Sequence, residues 1–267
     1  YKIVMQKRGQ VTVFVILGIV IVVILALVFY LYGERLKIQT QEQTKFDTST
    51  VEPLKTFVQD CIDKYSLEGI NLIGKQGGEI NPGFYQNWNC VSPGSCDKVS
   101  YACYTTEYSA CYNKKPFLKE FVQDELENYL KTKIVQCVDL NKIRNSGYTV
   151  SAGELKLNVS MGDYATIVNV NYPITITKGD AVLKQDKFSK TFDVPLGRLI
   201  KVASDIIDLE QNSLQGTAFF DGYLIRNRGE IEIERHIYRD TEIYITKLRT
   251  NPYIFQIAIQ NYVIPFP

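Results

Sequence analysis

Histidine is nearly absent from this sequence, which has one, His236, in 267 residues. Metal sites built on imidazoles and Ser-His-Asp triads need histidine at a defined place, and most such metal sites need more than one. His236 stands between charged neighbours in the string Glu232-Ile-Glu-Arg-His-Ile-Tyr, which is typical of a surface or interface position. The composition therefore argues against histidine-dependent hydrolysis and against a histidine-bound metal.

An excess of charge of either sign is also missing. The 30 Lys and Arg residues nearly balance the 29 Asp and Glu residues, so no overall field attracts nucleic acid. The sequence lacks a Walker A loop, a dinucleotide-binding glycine string, a nucleophile elbow, a zinc-protease string and an EF-hand loop. From these absences we expect a protein that is not an enzyme and has no cofactor, no metal ligand and no nucleic-acid partner.

One long apolar run is present at residues 11–32, VTVFVILGIVIVVILALVFYLY, and it contains no charge. As a helix with a rise of about 1.5 Å per residue it would reach roughly 33 Å, enough to cross a hydrocarbon core of about 30 Å. A buried helix of a soluble protein rarely runs this long without a charge. A removable secretory signal has a shorter apolar region that ends in small residues. We therefore predict a transmembrane helix at 11–32, in contact with the lipid bilayer.

The charges beside this run set its predicted orientation. Lys7 and Arg8 precede it in a tail without acidic residues, whereas Glu34 and Arg35 follow it with mixed sign. The bias of positive charge toward the cytoplasm places the N-terminus inside the cell. We predict a single-pass protein of the cell membrane. It would have a cytoplasmic tail at 1–10, a polar stalk at 33–52 and an extracytoplasmic domain at 53–267.

All six cysteines follow the apolar run, and an even count in an exported domain indicates three disulfides. Their spacings beyond residue 90 are C-x5-C, C-x6-C and C-x7-C, without the C-x2-C pair typical of zinc sites. Structural disulfides are thus favoured over the zinc alternative. We expect one bond to join the two predicted helices and the other cysteines to pair among themselves. The first pair is Cys61 with Cys137, and the remaining four are Cys90, Cys96, Cys103 and Cys111.

The spacing of apolar residues predicts an α+β fold. Helical spacing marks residues 53–73, 117–138 and a segment from Pro195 onward, and alternation marks strands in the second half of the chain. The expected strands are 148–150, 155–159, 164–176, 181–193, 217–225, 230–238, 241–248 and 253–264. We expect an antiparallel sheet with helices covering one face, and a Cys-rich insertion at 79–115 that is ordered by disulfides rather than by a core.

Aromatic residues in this Cys-rich segment are candidates for contact with a partner, because Tyr and Trp are enriched at interface anchors. The candidates are Tyr85, Trp88, Tyr101 and Tyr104; the alternative is that these rings pack over the disulfides. The triplet Asn158-Val159-Ser160 is a sequon for glycosylation of Asn158 in an exported domain.

The string Lys7-Arg8-Gly9-Gln10-Val11-Thr12-Val13-Phe14, followed by an apolar helix, resembles the N-terminus of a group of archaeal membrane-anchored surface proteins. The segments Pro53-Leu-Lys-Thr-Phe-Val-Gln-Asp-Cys and Gly74-Lys-Gln-Gly-Gly are also similar to that group. The resemblance implies a surface location and brings no activity with it. The same N-terminal string resembles pilin-like precursors with a class III signal peptide, although Phe14 stands where such precursors carry Glu.

Three functional hypotheses follow. The first is a membrane-anchored, non-catalytic surface protein for envelope structure or contact, whose partners are other surface proteins or further copies of itself. The second is a pilin-like filament subunit that a peptidase cuts between Gly9 and Gln10. The third is an exported hydrolase that uses carboxylates alone, which requires paired acidic residues in a pocket.

Overall fold

The computed structural model describes residues 48–92, 94–145, 147–212, 223, 225, 227 and 229–262. Its elements follow in chain order as α1 (Thr48–Lys75), β1 (Tyr85–Trp88), β2 (Asp97–Tyr104), β3 (Tyr112–Asn113), α2 (Leu118–Cys137), α3 (Leu140–Asn145), β4 (Thr149–Ala152), β5 (Lys156–Met161), β6 (Thr166–Lys178), β7 (Ala181–Phe192), α4 (Leu196–Asn212), β8 (Ile231–Tyr238), β9 (Thr241–Leu248) and β10 (Asn251–Gln260).

Several N-terminal predictions lie outside the described residues. These are the cytoplasmic tail 1–10 with Gly9 and Gln10, the transmembrane helix 11–32 and the first part of the stalk. Within the described ranges, no helix is long and apolar enough to span a membrane. Of the predicted stalk, residues 48–52 are described, and they belong to α1, which begins at Thr48. Helix geometry therefore starts five residues before Pro53, the predicted first residue of this helix.

The helices form where apolar residues recur every three or four positions. Along α2 the buried residues are spaced four apart and lie on one face: Leu118, Val122, Leu126, Leu130 and Ile134. α4 has a broader apolar face and contacts β9, β10 and α2. α1 lies close to α2 at Gly69, where an added Cβ would be 2.7 Å from Leu126 Cδ1. The three predicted helices are confirmed, with boundaries shifted by a few residues.

β6 is the central strand of a four-stranded antiparallel sheet. β7 pairs along its whole length, and β4 and β5 pair end to end along its other edge. Pro173 lies inside β6 at a register shift between Asn171 and Ile174, as expected for a residue that cannot donate to a sheet hydrogen bond. The expected strands 155–159, 164–176 and 181–193 are confirmed as β5, β6 and β7, which pair as two successive hairpins.

A second sheet has six strands in the order β1-β2-β10-β9-β8, with β3 also paired to β2. Its neighbours are antiparallel except for β2 and β10, which are parallel. The α+β class is confirmed, but the expectation of one antiparallel sheet was wrong. A parallel pair needs a long crossover connection, and here most of the domain, from α2 to β9, lies between the two strands. Local sequence patterns carry no signal for such a pairing.

A bulge in β2 decides which side chains face which layer. Ala258 of β10 pairs with Tyr101, whereas the next residue, Ile259, pairs with Cys103, so Ala102 is an extra residue in β2. The extra residue shifts the alternation of side chains. Cys103 therefore faces the main core, while Tyr101 and Tyr104 both contact a second, smaller core.

The two cores lie on opposite faces of the six-stranded sheet. Alternate residues of β9 and β10 face the main core, among them Tyr244, Phe255 and Ile257. The intervening residues Ile243 and Ala258 belong to the second core. Trp88, Tyr104 and Ile245 are the partly buried residues that pack against this second core.

The cysteines form three disulfides, and the predicted pairing is confirmed. Cys61 of α1 bonds to Cys137 of α2, and the other four form Cys90–Cys96 and Cys103–Cys111. The segment 79–115, however, is not an insertion without a core. It contributes β1, β2 and β3 to the six-stranded sheet, and both Cys103 and Cys111 are buried in the main core.

The strands of the C-terminal third were predicted with mixed success. The segments predicted at 230–238, 241–248 and 253–264 correspond to β8, β9 and β10, although β10 ends at Gln260. The strand expected at 217–225 lies largely outside the described residues, and Tyr223 and Ile225 within it are helical. Apolar and aromatic content there resembled a strand, and periodicity over so short a segment does not separate the two states.

Candidate binding cleft

A buried Ser-Lys pair is the first candidate for chemistry. The ammonium of Lys115 lies 2.7 Å from Ser100 Oγ, 2.9 Å from the Gly77 carbonyl oxygen and 2.8 Å from Glu79 Oε1. Burial lowers the pKa of Lys115, and the neighbouring Glu79 carboxylate opposes that shift. A catalytic lysine must give up its proton and its serine must meet substrate. Here three acceptors hold the ammonium hydrogens, and Ser100 is 1% exposed, so the group stabilises the fold.

Two glutamates meet at a tyrosine in the main core. The Tyr244 hydroxyl is hydrogen-bonded to Glu210 and lies 2.6 Å from Glu242 Oε2, and Glu242 pairs with Arg235. Burial raises the pKa of Glu210, and the nearby Glu242 charge adds to the rise. Paired carboxylates are what a hydrolase of the third hypothesis needs. Glu210, however, is fully buried, and the Asn261 amide also donates to its backbone carbonyl, so substrate has no access to it.

The most suitable binding geometry is a cleft of about 670 Å³ between β1 and the β8–β9 turn. One wall carries Trp88 and Asn89 at the end of β1, and the opposite wall carries Tyr238 and the turn residues Arg239 and Asp240. Ligand sites combine apolar ring surface with a few polar groups that fix orientation. This cleft provides both.

A hydrogen-bond network forms the floor of the cleft and ties four strands together. The Tyr101 hydroxyl of β2 lies 2.8 Å from Thr241 Oγ1 of β9 and 3.2 Å from Gln86 Oε1 of β1. Thr241 Oγ1 also lies 3.3 Å from Gln260 Oε1 of β10, and the two hydroxyl hydrogens are shared among these three contacts. Burial raises the pKa of Tyr101, which keeps its phenol protonated and able to donate. The floor is therefore held rigid before any ligand arrives.

Both walls contain a residue with a left-handed backbone. Asn89 has φ of 48° and Arg239 has φ of 56°. Asparagine tolerates this conformation, but arginine does so at a cost of order 1–3 kcal/mol. Arg239 stands in the two-residue turn between the paired residues Tyr238 and Thr241, where glycine or asparagine is the usual choice. Strain of this kind concentrates at functional sites.

The polar rim of the cleft has free hydrogen-bonding capacity. Among the described residues, the side chains of Asn89 and Asp240 make no hydrogen bond to protein, and both are exposed. The charged groups of the described lining are one guanidinium and one carboxylate, Arg239 and Asp240, which balance each other. Such a rim can donate to and accept from hydroxyl or amide groups of a ligand.

The four predicted contact aromatics have different positions. Tyr85 is half-buried on β1 beneath the ammonium of Lys98, which lies 5.1 Å from its ring centroid. Tyr101 is buried in the cleft floor. Tyr104 packs edge-on against Phe84 with ring centroids 4.7 Å apart. Only Trp88 lines the cleft as a half-buried ring, so both interpretations, contact and packing, apply to different members of the set.

Sequence reasoning placed His236 at a surface or interface position but linked neither it nor the turn residues to Trp88. The His236 ring lies 5.0 Å from the Trp88 ring, centroid to centroid, and supports the wall that Trp88 forms. The residues of the opposite wall lie far along the chain on β8 and β9, and only the folded sheet brings them to β1. The pair Arg239-Asp240 could have been recognised as a hairpin turn, but nothing in the sequence connects it to Trp88.

Two further predictions concern sites elsewhere. Asn158 is exposed on β5, so the sequon is accessible, although modification itself stays a prediction. Within the described part of the chain, no group of three or more His, Cys, Asp or Glu residues is arranged to hold a metal ion.

A larger cleft of about 900 Å³ lies along α1 and α2. It gathers lysines and carboxylates of opposite sign: Lys75, Lys98 and Lys133 with Glu68, Asp97 and Glu125. Its one aromatic residue, Tyr129, is packed against α1, since a Cβ at Gly69 would lie 2.9 Å from the Tyr129 ring. This cleft is a seam between helices with mixed charges, whereas the smaller one combines ring surface with a free amide group.

Comparison of the chain with models of known protein families, with characterised proteins and with solved structures found no match in any of the three.

Proposed function

We propose that this protein is a non-catalytic cell-surface protein, anchored by residues 11–32, that holds a disulfide-bonded α+β domain outside the cell to contact a ligand or partner. The observation that carries the proposal is the set of three disulfides with no free cysteine in the described chain. Disulfides persist in oxidising compartments and are rare in the cytosol. A domain that follows a long apolar run and uses every cysteine this way suits the outside of a membrane.

The chemistry of the domain supports a binding role. The Ser100–Lys115 pair is saturated with hydrogen bonds, and the Glu210 carboxyl is sealed in the core. The cleft beside Trp88 instead offers an exposed amide and ring surface on a rigid floor. Binding through a preorganised surface needs no group with an activated proton or nucleophile.

The first test is mass spectrometry of the N-terminal peptide from native membranes, combined with protease treatment of intact cells. We expect a peptide that still carries Lys7-Arg8-Gly9, and cleavage of the domain only from the outer side. A peptide that begins at Gln10 would favour the hypothesis of a pilin-like filament subunit over that of an anchored surface protein. A domain that is protected in intact cells and digested in lysed cells would refute the surface location.

A further inference from the structure

The chemistry of the cleft beside Trp88 points to a particular class of ligand. We infer that this cleft binds a neutral oligosaccharide, with sugar rings against the aromatic side chains and sugar hydroxyls on the amide and carboxylate rim. This inference deepens the proposed function, since a surface domain that contacts its surroundings meets glycans. It rests on four features of the cleft.

The first feature is the aromatic surface. Trp88 and Tyr238 both line the cleft, and Tyr238 is 46% exposed, with the Arg239 guanidinium 5.6 Å from its ring centroid. A pyranose ring has an apolar face of C–H bonds, and the electron-rich face of an aromatic ring attracts such polarised hydrogens. Flat apolar surface next to polar groups therefore suits a sugar better than a fully apolar ligand.

The second feature is the rim of groups that both donate and accept. The side-chain amide of Asn89 offers two donors and an acceptor, and the Asp240 carboxylate accepts from hydroxyls. Sugar hydroxyls both donate and accept and lie around the edge of the ring. A free amide and a carboxylate beside an aromatic ring match that arrangement, whereas a hydrocarbon ligand would leave them without partners.

The third feature is the balance of charge. Among the described lining residues, Arg239 is the one cation and Asp240, its chain neighbour, is the one anion. A site for phosphate or for an acidic sugar would gather several cations, because a bound anion needs compensating charge. The lining therefore fits a neutral ligand, and an acidic polysaccharide is the ligand it disfavours.

The fourth feature is rigidity. The disulfide Cys90–Cys96 closes a loop that begins at the residue after Asn89. The hydrogen-bond network from Gln86 to Gln260 holds the strands of the floor together. Arg239 has a strained left-handed backbone. A glycine at this position would remove the strain but would also remove the guanidinium. A rigid site loses little conformational entropy when a flexible sugar binds.

The chain provides its own reporter for this cleft. Trp88 is the one tryptophan of the sequence, so intrinsic tryptophan fluorescence reports on this wall alone. The full-length protein would be held in a detergent without a sugar headgroup and titrated with maltotetraose, cellotetraose and mannotetraose. Concentrations up to about 10 mM would detect complexes as weak as millimolar. We expect a saturable change in Trp88 fluorescence with at least one of the three.

Variants then locate the binding. Arg239→Gly relieves backbone strain, so it should fold at least as well as the wild type and bind about tenfold more weakly through loss of a charged hydrogen-bond donor. Tyr238→Ala should weaken binding by a similar factor. Tyr164→Ala removes a ring that is also exposed but lies outside the cleft, and its affinity should equal that of the wild type.

Three outcomes would overturn the inference. The first is that none of the three neutral tetrasaccharides gives a saturable response. The second is that Tyr238→Ala and Arg239→Gly bind the sugar as tightly as the wild type, and the third is that only tetragalacturonate or a neutral peptide gives a response. None of these would touch the surface location, which the N-terminal peptide and protease treatment decide separately. Shorter sugars appearing during the titration, followed by chromatography, would refute the non-catalytic part of the proposed function and leave the ligand class intact.

Discussion

At the scale of single residues, Glu210 shows how burial shifts the pKa of a carboxyl group. The Tyr244 hydroxyl contacts both Glu210 and Glu242, and it has one hydrogen to donate. Glu242 also forms an ion pair with Arg235. Burial raises the pKa of Glu210, although the hydrogen bond from Tyr244 opposes the rise.

The raised pKa of Glu210 predicts a pH dependence of stability. A carboxyl whose folded pKa is raised above the ordinary value of 4.5 contributes stability that is complete below that value and lost as the pH rises through the folded pKa. Within this window the free energy of unfolding should fall by about 1.4 kcal/mol per pH unit from this group. Glu210→Gln mimics the protonated form, so it should lose less stability as the pH rises.

The measurement is urea unfolding at a series of pH values for the wild type, Glu210→Gln and the control Glu154→Gln, whose side chain is exposed. The control should follow the wild type. Parallel profiles for Glu210→Gln and the wild type would show that Glu210 is ionised in the folded protein.

Residue identity alone predicted part of the candidate site. The enrichment of Tyr and Trp at interfaces pointed to Trp88, which does line the cleft, and equally to Tyr101, which is buried in its floor. The two differ because Tyr101 lies on a central strand and Trp88 lies at the end of an edge strand. Asn89 gave no signal, since exposed polar residues are common in any sequence, and the turn at Arg239 gave no signal that linked it to Trp88.

At the scale of secondary-structure elements, local patterns predicted most helices and hairpins but not β2. Its sequence, DKVSYACY, is flanked by turn-forming residues and cysteines, and this favoured a loop. The bulge at Ala102 further breaks the alternation that marks a strand. The partners of β2 are also distant, because β10 lies at the far end of the domain. Pairing of this kind depends on the whole chain and not on any local segment.

The junction between α4 and the four-stranded sheet gives a prediction for an element. Gly197, in the first turn of α4, lies so close to the β5–β6 hairpin that a Cβ there would be 2.4 Å from the Met161 carbonyl oxygen. Backbone atoms cannot move aside as a flexible side chain can. Gly197→Ala should therefore lower the free energy of unfolding by about 1–3 kcal/mol, despite the better helix propensity of alanine.

Gly83→Ala is the matched control, because a Cβ at Gly83 would meet no atom within 4 Å. Its stability should stay within about 0.5 kcal/mol of the wild type. Both variants would be compared by urea unfolding followed by circular dichroism. Equal stability of the two variants would mean that α4 can shift away from the hairpin without cost.

At the scale of the whole molecule, the disulfides divide into one long-range and two local bonds. Cys61–Cys137 closes a loop of 76 residues and joins α1 to α2, whereas Cys90–Cys96 spans 6 residues beside the cleft. The entropy that a bond removes from the unfolded chain grows with loop length. The long-range bond should thus govern global stability, and the local bond should govern the shape of one surface.

The two bonds should consequently fail in different assays. In the chain-entropy model, loss of the 76-residue loop costs roughly 4.5 kcal/mol and loss of the 6-residue loop roughly 2.2 kcal/mol. The double variant Cys61→Ser/Cys137→Ser should therefore unfold at clearly lower urea and, while folded, respond to sugar as the wild type does. The variant Cys90→Ser/Cys96→Ser should lose less stability but more affinity, because Asn89 is no longer held by the adjacent bond.

If the second variant kept full affinity, rigidity of this wall would have no part in binding. If the first lost affinity in proportion to stability, cleft and core would form one cooperative unit.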